Sequence, residues 1–218
     1  MNKFISLEDA VKLVRDGDTV MVGGFLGVGT PDRLIDALIA KGTKDLTLIC
    51  NDTAFVDRGV GKMVVAKMFK KIYTSHIGTN KETGRQMMEG ETEVILVPQG
   101  TLIEQIRAGG FGLGGVLTKT GLGTLVEQGK QTVEVDGEKY LLEKPMRANV
   151  ALLFAEKADV KGNLSYHGAT RNFNVHMGAA ADISIVEAQQ LVGIGDMCAD
   201  EVVVPGVFIN YIVDGGVL

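Results

Sequence analysis

The sequence predicts an α/β fold: an open, mostly parallel sheet layered with helices, with one small antiparallel excursion. Short β-branched apolar runs alternate with helical patterns over the first half of the chain, and the loops between them are short. A glycine-rich loop follows the first of these runs and leads straight into a helix start. Farther along, Asp136-Gly137 separates two alternating runs, the turn signal of a β-hairpin. No linker and no internal repeat interrupts the 218 residues, so residues 1–218 read as a single domain.

Ser6 to Val14 reads as a short helix: Ser6 caps it, and Leu7, Ala10, Val11 and Val14 share one face. Thr19 to Val22 reads as a buried strand. Gly23, Gly24, Gly27 and Gly29 follow, with Thr30 as a helix cap and Pro31 in the first turn. The helix runs to Ala40, with Leu34, Ile35, Leu38 and Ile39 on a stripe and Gly42 just past its end. Leu46 to Cys50 has strand length and ends at Asn51-Asp52-Thr53; Gly61 to Phe69 reads as helix, and Lys71 to His76 as strand. Thr83 to Met88 is a predicted helix, and Val94 to Val97 a strand that stops at Pro98-Gln99-Gly100-Thr101. Leu102, Ile103 and Ile106 mark a helix closed by Gly109 and Gly110. Gln131 to Val135 and Lys139 to Leu142 form the hairpin. Asn149 to Phe154, Ile183 to Val186 and Val202 to Val204 are the later strands, the last ending before Pro205.

The net charge of −5 lacks the electrostatic footprint of a nucleic-acid binder. No apolar run reaches membrane-spanning length, and acids arrive in the N-terminal stretch before any apolar core, which argues against a signal peptide. Cys50 and Cys198 are the only cysteines; their separation gives no metal spacing and reads as two buried free thiols in a reducing cytoplasm. His76, His167 and His176 are scattered, so no metal site is expected.

The glycine loop offers bare backbone to a ligand, and the following helix start offers free N–H groups to an anion. Its order from Gly24 is G-x-x-G-x-G, the reverse of a dinucleotide fingerprint. Gly61-Lys62 is followed by Met63, with Val56 at the upstream position, so no P-loop is present either. In open parallel sheets, ligands bind beyond the carboxyl ends of strands. Three such ends carry polar or glycine-rich loops: Gly23 to Gly29, Asn51 to Thr53, and Gln99 to Thr101. Together they make one candidate cleft, lined by Asn51, Asp52 and Gln99. Asn51 and Asp52 also suit a plain cap or turn, and Gln99 a solvated loop. A glutamine is a poor acid or base, so a functional Gln99 donates a hydrogen bond, as oxyanion stabilisation requires. Ser75 and His76 are adjacent on a predicted strand and point to opposite faces, against a dyad. Glu89, Glu91 and Glu93 read as a solvated acidic turn, and Arg107 first as a helix-dipole partner and second as a phosphate clamp. The cleft thus has binding groups without an obvious reacting group.

Asp16-Gly17 through Val22-Gly23-Gly24-Phe25 to Gly29-Thr30-Pro31 resembles the first signature of family I coenzyme A transferases. Asn51-Asp52-Thr53, Pro98 to Leu102 with Glu104 to Gly110, Thr118 to Thr124, Asp159 to Tyr166 and Arg171-Asn172-Phe173-Asn174 resemble further blocks of that family, in its order and over nearly the whole chain. The nearest likeness is to alpha subunits of the acetate/butyrate–acetoacetate type. The resemblance implies a coenzyme A transferase-like sheet sandwich. It also implies a cytoplasmic enzyme that exchanges coenzyme A between acyl-CoA and short-chain carboxylates, without a metal or redox cofactor. It implies a beta subunit as partner, carrying a catalytic glutamate in a Ser-Glu-Asn-Gly block that this chain lacks, in an A2B2 heterotetramer. On the matching positions, Gln99 stabilises the oxyanion. Gly23, Gly24, Phe25, Leu26, Gly27, Val28 and Gly29 bind CoA, and Asn51 and Asp52 line the cleft. Two other readings stay open at this point: a stand-alone CoA or sugar-phosphate binding module, and an enzyme complete in itself with Asp52 or Glu104 as its carboxylate.

Overall fold

The computed structural model describes residues 3–216; Met1 and Asn2, part of the N-terminal stretch read above, lie outside them, as do the last two residues. Its strands are β1 (Thr19–Val22), β2 (Leu46–Cys50), β3 (Phe69–Thr74), β4 (Glu93–Leu96), β5 (Val116–Thr118), β6 (Thr132–Val135), β7 (Glu138–Glu143), β8 (Ala148–Asp159), β9 (Leu164–Ser165), β10 (Ala181–Val192) and β11 (Tyr211–Asp214). The α-helices are α1 (Leu7–Lys12), α2 (Asp32–Lys41), α3 (Val60–Val65), α4 (Lys81–Met88), α5 (Gln99–Gly110) and α6 (Asn174–Met177).

The main sheet runs β11-β10-β8-β1-β2-β3-β4, every neighbouring pair parallel, with the short β9 antiparallel on β8. Alternation along β1 explains the layering. Val20 and Val22 face one core with Leu34, Ile35 and Leu38 of α2, while Met21 faces a second core with Leu102 and Ile106 of α5. The order reverses between β1 and β8: β2 to β4 lie on one side, and β8, β10 and β11 on the other. That reversal is a switch point, where a crevice opens beyond the strand ends. The glycine loop leaves β1 there.

Local signals explain several boundaries. Ser6 caps α1 by accepting the Asp9 N–H at 3.0 Å, and Gly42 closes α2 in the left-handed region. Asp136 and Gly137 both have positive φ, the two-residue turn expected between β6 and β7. That hairpin pairs with β5 in a separate antiparallel sheet, β5-β7-β6.

Other expectations need correction. The helix expected over Gly61 to Phe69 stops at Val65; Lys67 turns with positive φ, and Phe69 opens β3. Thr30 makes no cap hydrogen bond, and Pro31 stands at the cap position. Val202 to Val204 is no strand: Val204 makes one isolated bridge to Leu164. The strand there is β11, outside the expected set. β8 and β10 are each 12 residues long and extend well past the predicted apolar runs. Cys50 is buried, but Cys198 is exposed, because it caps a 3-10 turn next to Asp200 and Glu201. Glu89, Glu91 and Glu93, by contrast, are exposed around the turn before β4, as expected, and carry surface ion pairs, the first two to Arg85 and the third to Lys71.

Candidate active-site cleft

The three predicted loops meet. β1, β2, β3 and β4 lie side by side, so their carboxyl ends form one row, and side chains stitch it together. In the glycine loop, Phe25 and Val28 exchange backbone hydrogen bonds of 3.0 and 2.8 Å across Leu26-Gly27. Both central residues have positive φ, 51° at Leu26 and 84° at Gly27, so the loop tip is a primed hairpin turn. Glycine relieves that conformation at position 27, and Leu26 holds it because Asp52 accepts its N–H at 3.1 Å. The same carboxylate accepts the Ala54 N–H at 2.8 Å. Phe25 and Val28 are left exposed on the tip.

The other flank of the loop is held by Asn172 and Asn174. Asn172 Oδ1 accepts from the Gly24 N–H at 3.1 Å, and Asn172 Nδ2 donates to Val28 O at 3.1 Å. Asn174 Nδ2 donates to Gly29 O at 2.8 Å, and its Oδ1 accepts from the Phe154 N–H at 3.0 Å. A Cβ on Gly23 would sit 1.8 Å from Asn174 Oδ1. Gly23 is therefore glycine because protein atoms fill the place of a side chain. The sequence reading gave no role to Asn172 or Asn174, although their block stood out; only the fold brings them from beyond β8 to the β1 end.

Asp52 is buried, and burial raises its carboxyl above the ordinary range, against the opposing pull of the Ala54 and Leu26 N–H groups. Both its oxygens face the loop it anchors. Beside it, Asn51 is 2% exposed and accepts from Gln99 Nε2 at 2.8 Å. Gln99 is not a loop residue as expected. It opens α5 after Pro98 and is exposed. Ser75 lies past the end of β3, and its Oγ donates to Asn51 O at 2.6 Å.

Arg107 is held by Glu104, with Nε and Nη2 at 2.8 and 2.6 Å from one carboxylate oxygen. Neither side chain is free. Among the described residues, no group of three or more His, Cys, Asp or Glu side chains gathers as a metal site would need. No helix of the described residues is long and apolar enough to cross a membrane.

The arrangement places a rigid exposed turn after β1 and an anchored amide donor after β4, both at the carboxyl ends of the strands. The sequence profile of the family described as coenzyme A transferase matches residues 4–215. The chain belongs to the coenzyme A transferase family. It is 56% identical to the acetate CoA-transferase subunit alpha of Escherichia coli K12 over 97% of this chain and 96% of that protein. It is 49% identical to the acetoacetyl-CoA:acetate/butyrate CoA transferase alpha subunit of Clostridium acetobutylicum, over 97% of each. Solved coenzyme A transferases share the fold. An acyl-CoA transferase of E. coli O157:H7, in thioester complex with CoA, superposes with a TM-score of 0.87 at 21% identity, covering 98% of this chain and 47% of that one. Glutaconate coenzyme A-transferase of Acidaminococcus fermentans gives 0.84 at 19% identity, covering 97% and 75%.

Proposed function

We propose that this chain is the alpha subunit of a short-chain acyl-CoA:carboxylate CoA-transferase, working with a beta subunit that supplies the nucleophilic glutamate. The observation that carries this is the 2.8 Å bond from Gln99 Nε2 to Asn51 Oδ1, which fixes an exposed amide on the same row of strand ends as the glycine turn. The relatives named above as acetate and acetoacetyl-CoA:acetate/butyrate transferase subunits support the same acids here.

The reaction divides into acyl and CoA exchange. A carboxylate oxygen of the partner glutamate attacks the thioester carbonyl; the new C–O bond pushes the π pair onto the carbonyl oxygen. Collapse re-forms the carbonyl and expels the CoA thiolate, leaving a mixed anhydride. The thiolate then attacks the glutamyl carbonyl, the acid leaves as carboxylate, and an enzyme thioester remains. A second carboxylate runs these steps backwards and departs as acyl-CoA. Each addition puts negative charge on one oxygen, where a preorganised donor such as Gln99 acts most strongly. Gly23 to Gly29 supplies the CoA-facing turn, with Phe25, Leu26 and Val28 offering apolar contact and Asp52 holding it still. Both subunits close one site, in an A2B2 assembly.

The test is exchange of CoA from acetyl-CoA to butyrate, measured on this chain alone and co-purified with a beta subunit carrying Ser-Glu-Asn-Gly. Turnover only in the pair is expected. Equal turnover by this chain alone, or none by the pair, overturns the proposal.

A further inference from the structure

Resting on the acyl-transfer reading above, we infer that Asn51 is a second oxyanion donor beside Gln99, with Ser75 as the residue that positions it. The bonding around Asn51 is one-sided. Its main-chain carbonyl accepts from Ser75 N at 2.9 Å, Ser75 Oγ at 2.6 Å and Thr74 Oγ1 at 3.2 Å. Its side-chain Oδ1 accepts from Gln99 Nε2 at 2.8 Å and lies 3.3 Å from Ser75 Oγ. Both oxygens are held by protein donors, the main-chain carbonyl by Ser75 and the side-chain Oδ1 by Gln99. Nδ2 has no partner among the described residues, and it is not among the atoms sealed from solvent. A residue that is 2% exposed is thus anchored through its oxygens, with its side-chain donor left unpaired. Buried amides are ordinarily satisfied, so an open donor in a rigid frame points to a ligand atom as the missing partner.

Gln99 spends one amide hydrogen on Asn51 and keeps the other. The pair therefore leaves unpaired N–H groups on two neighbouring amides at the strand ends. A developing oxyanion has lone pairs for two donors, and donors fixed beforehand need no reorganisation as charge grows. Ser75 acts through the backbone: its N–H and hydroxyl clamp the carbonyl of residue 51 at the end of β2.

Asn51→Asp is the informative change. The aspartate is isosteric and keeps an acceptor for Gln99, but it replaces the open donor with an oxygen. In the complex with the beta subunit, kcat is expected to fall roughly 10²-fold or more, as for other lost oxyanion donors. KM for acyl-CoA should stay within about threefold, since ground-state binding is not what the donor supplies. Ser75→Ala should lower kcat by about tenfold through misplacement, and Ser75→Thr, which keeps the hydroxyl, should restore most of it. An unchanged kcat in Asn51→Asp overturns the inference, as does a raised KM with kcat kept, which would make Asn51 a CoA contact. Should the variant fail to assemble, a crystal structure of the wild-type complex trapped as its CoA thioester decides. Asn51 Nδ2 within about 3.2 Å of the thioester carbonyl oxygen is the expected result, and a separation beyond about 4 Å overturns it. An inactive wild-type complex would overturn the proposed function itself. An active one with an indifferent Asn51 overturns this inference alone.

Discussion

Glu187→Gln is expected to stabilise the protein at alkaline pH and to lose that advantage on acidification. Glu187 lies in β10, only 6% exposed, and accepts the Leu34 N–H at 2.9 Å near the start of α2. Burial pushes its carboxyl up from 4.5 to about 7; the Leu34 N–H opposes the rise, and the nearby charge of Asp32 adds to it. The folded state therefore prefers the protonated form more than the unfolded chain does. Glu187 contributes fully to stability below about pH 4.5, and that contribution is lost as pH rises through about 7. The difference corresponds to roughly 3 kcal/mol, at about 1.4 kcal/mol per tenfold in proton affinity. A neutral side chain avoids that cost, for a net gain of about 3 kcal/mol at the higher pH. Glutamine keeps a carbonyl for Leu34 and carries no charge. Urea unfolding of both proteins at about pH 5 and about pH 8.5 reads the effect. A difference that is the same at both pH values, or a variant less stable at the higher one, would refute the reasoning.

Gly23→Ala should destabilise by more than about 3 kcal/mol, because a methyl group 1.8 Å from Asn174 Oδ1 must also displace the bond to Phe154; thermal unfolding or loss of soluble protein reports it. Asp52→Ala leaves the Leu26 and Ala54 N–H groups unpaired, at about 1–3 kcal/mol each. Together that is about 2–6 kcal/mol, so the melting temperature should fall by about 4–24 °C at 2–4 °C per kcal/mol, and calorimetry checks this. A thiol reagent should titrate Cys198 alone in the native chain and reach Cys50 only in denaturant, since Cys50 is sealed in the core and burial pushes its thiol up.

The sequence made the frame legible where local chemistry decides structure. Ser6, Gly42 and Asp136-Gly137 each act through neighbours within a few residues, and each does what its type suggests. The strand ends that carry Gly23, Asn51 and Gln99 were legible for the same reason. What escaped depends on tertiary placement. Asn174 reaches Gly29 across 145 residues of chain, and Ser75 reaches Asn51 because β3 lies beside β2. Glu104, Arg107 and Glu91 have ion-pair partners that spacing alone did not assign. β8 and β10 outran their apolar cores because each supports the other over ten paired residues, so backbone pairing sustains strand structure past the hydrophobic run.

The central claim is that this chain binds and stabilises while its partner carries the covalent bond. Intact-mass measurement of both subunits after mixing the complex with acetoacetyl-CoA tests it most directly. A CoA adduct on the beta subunit, with this chain unmodified, is the predicted result. An adduct on this chain, at Asp52 or Glu104, would contradict it.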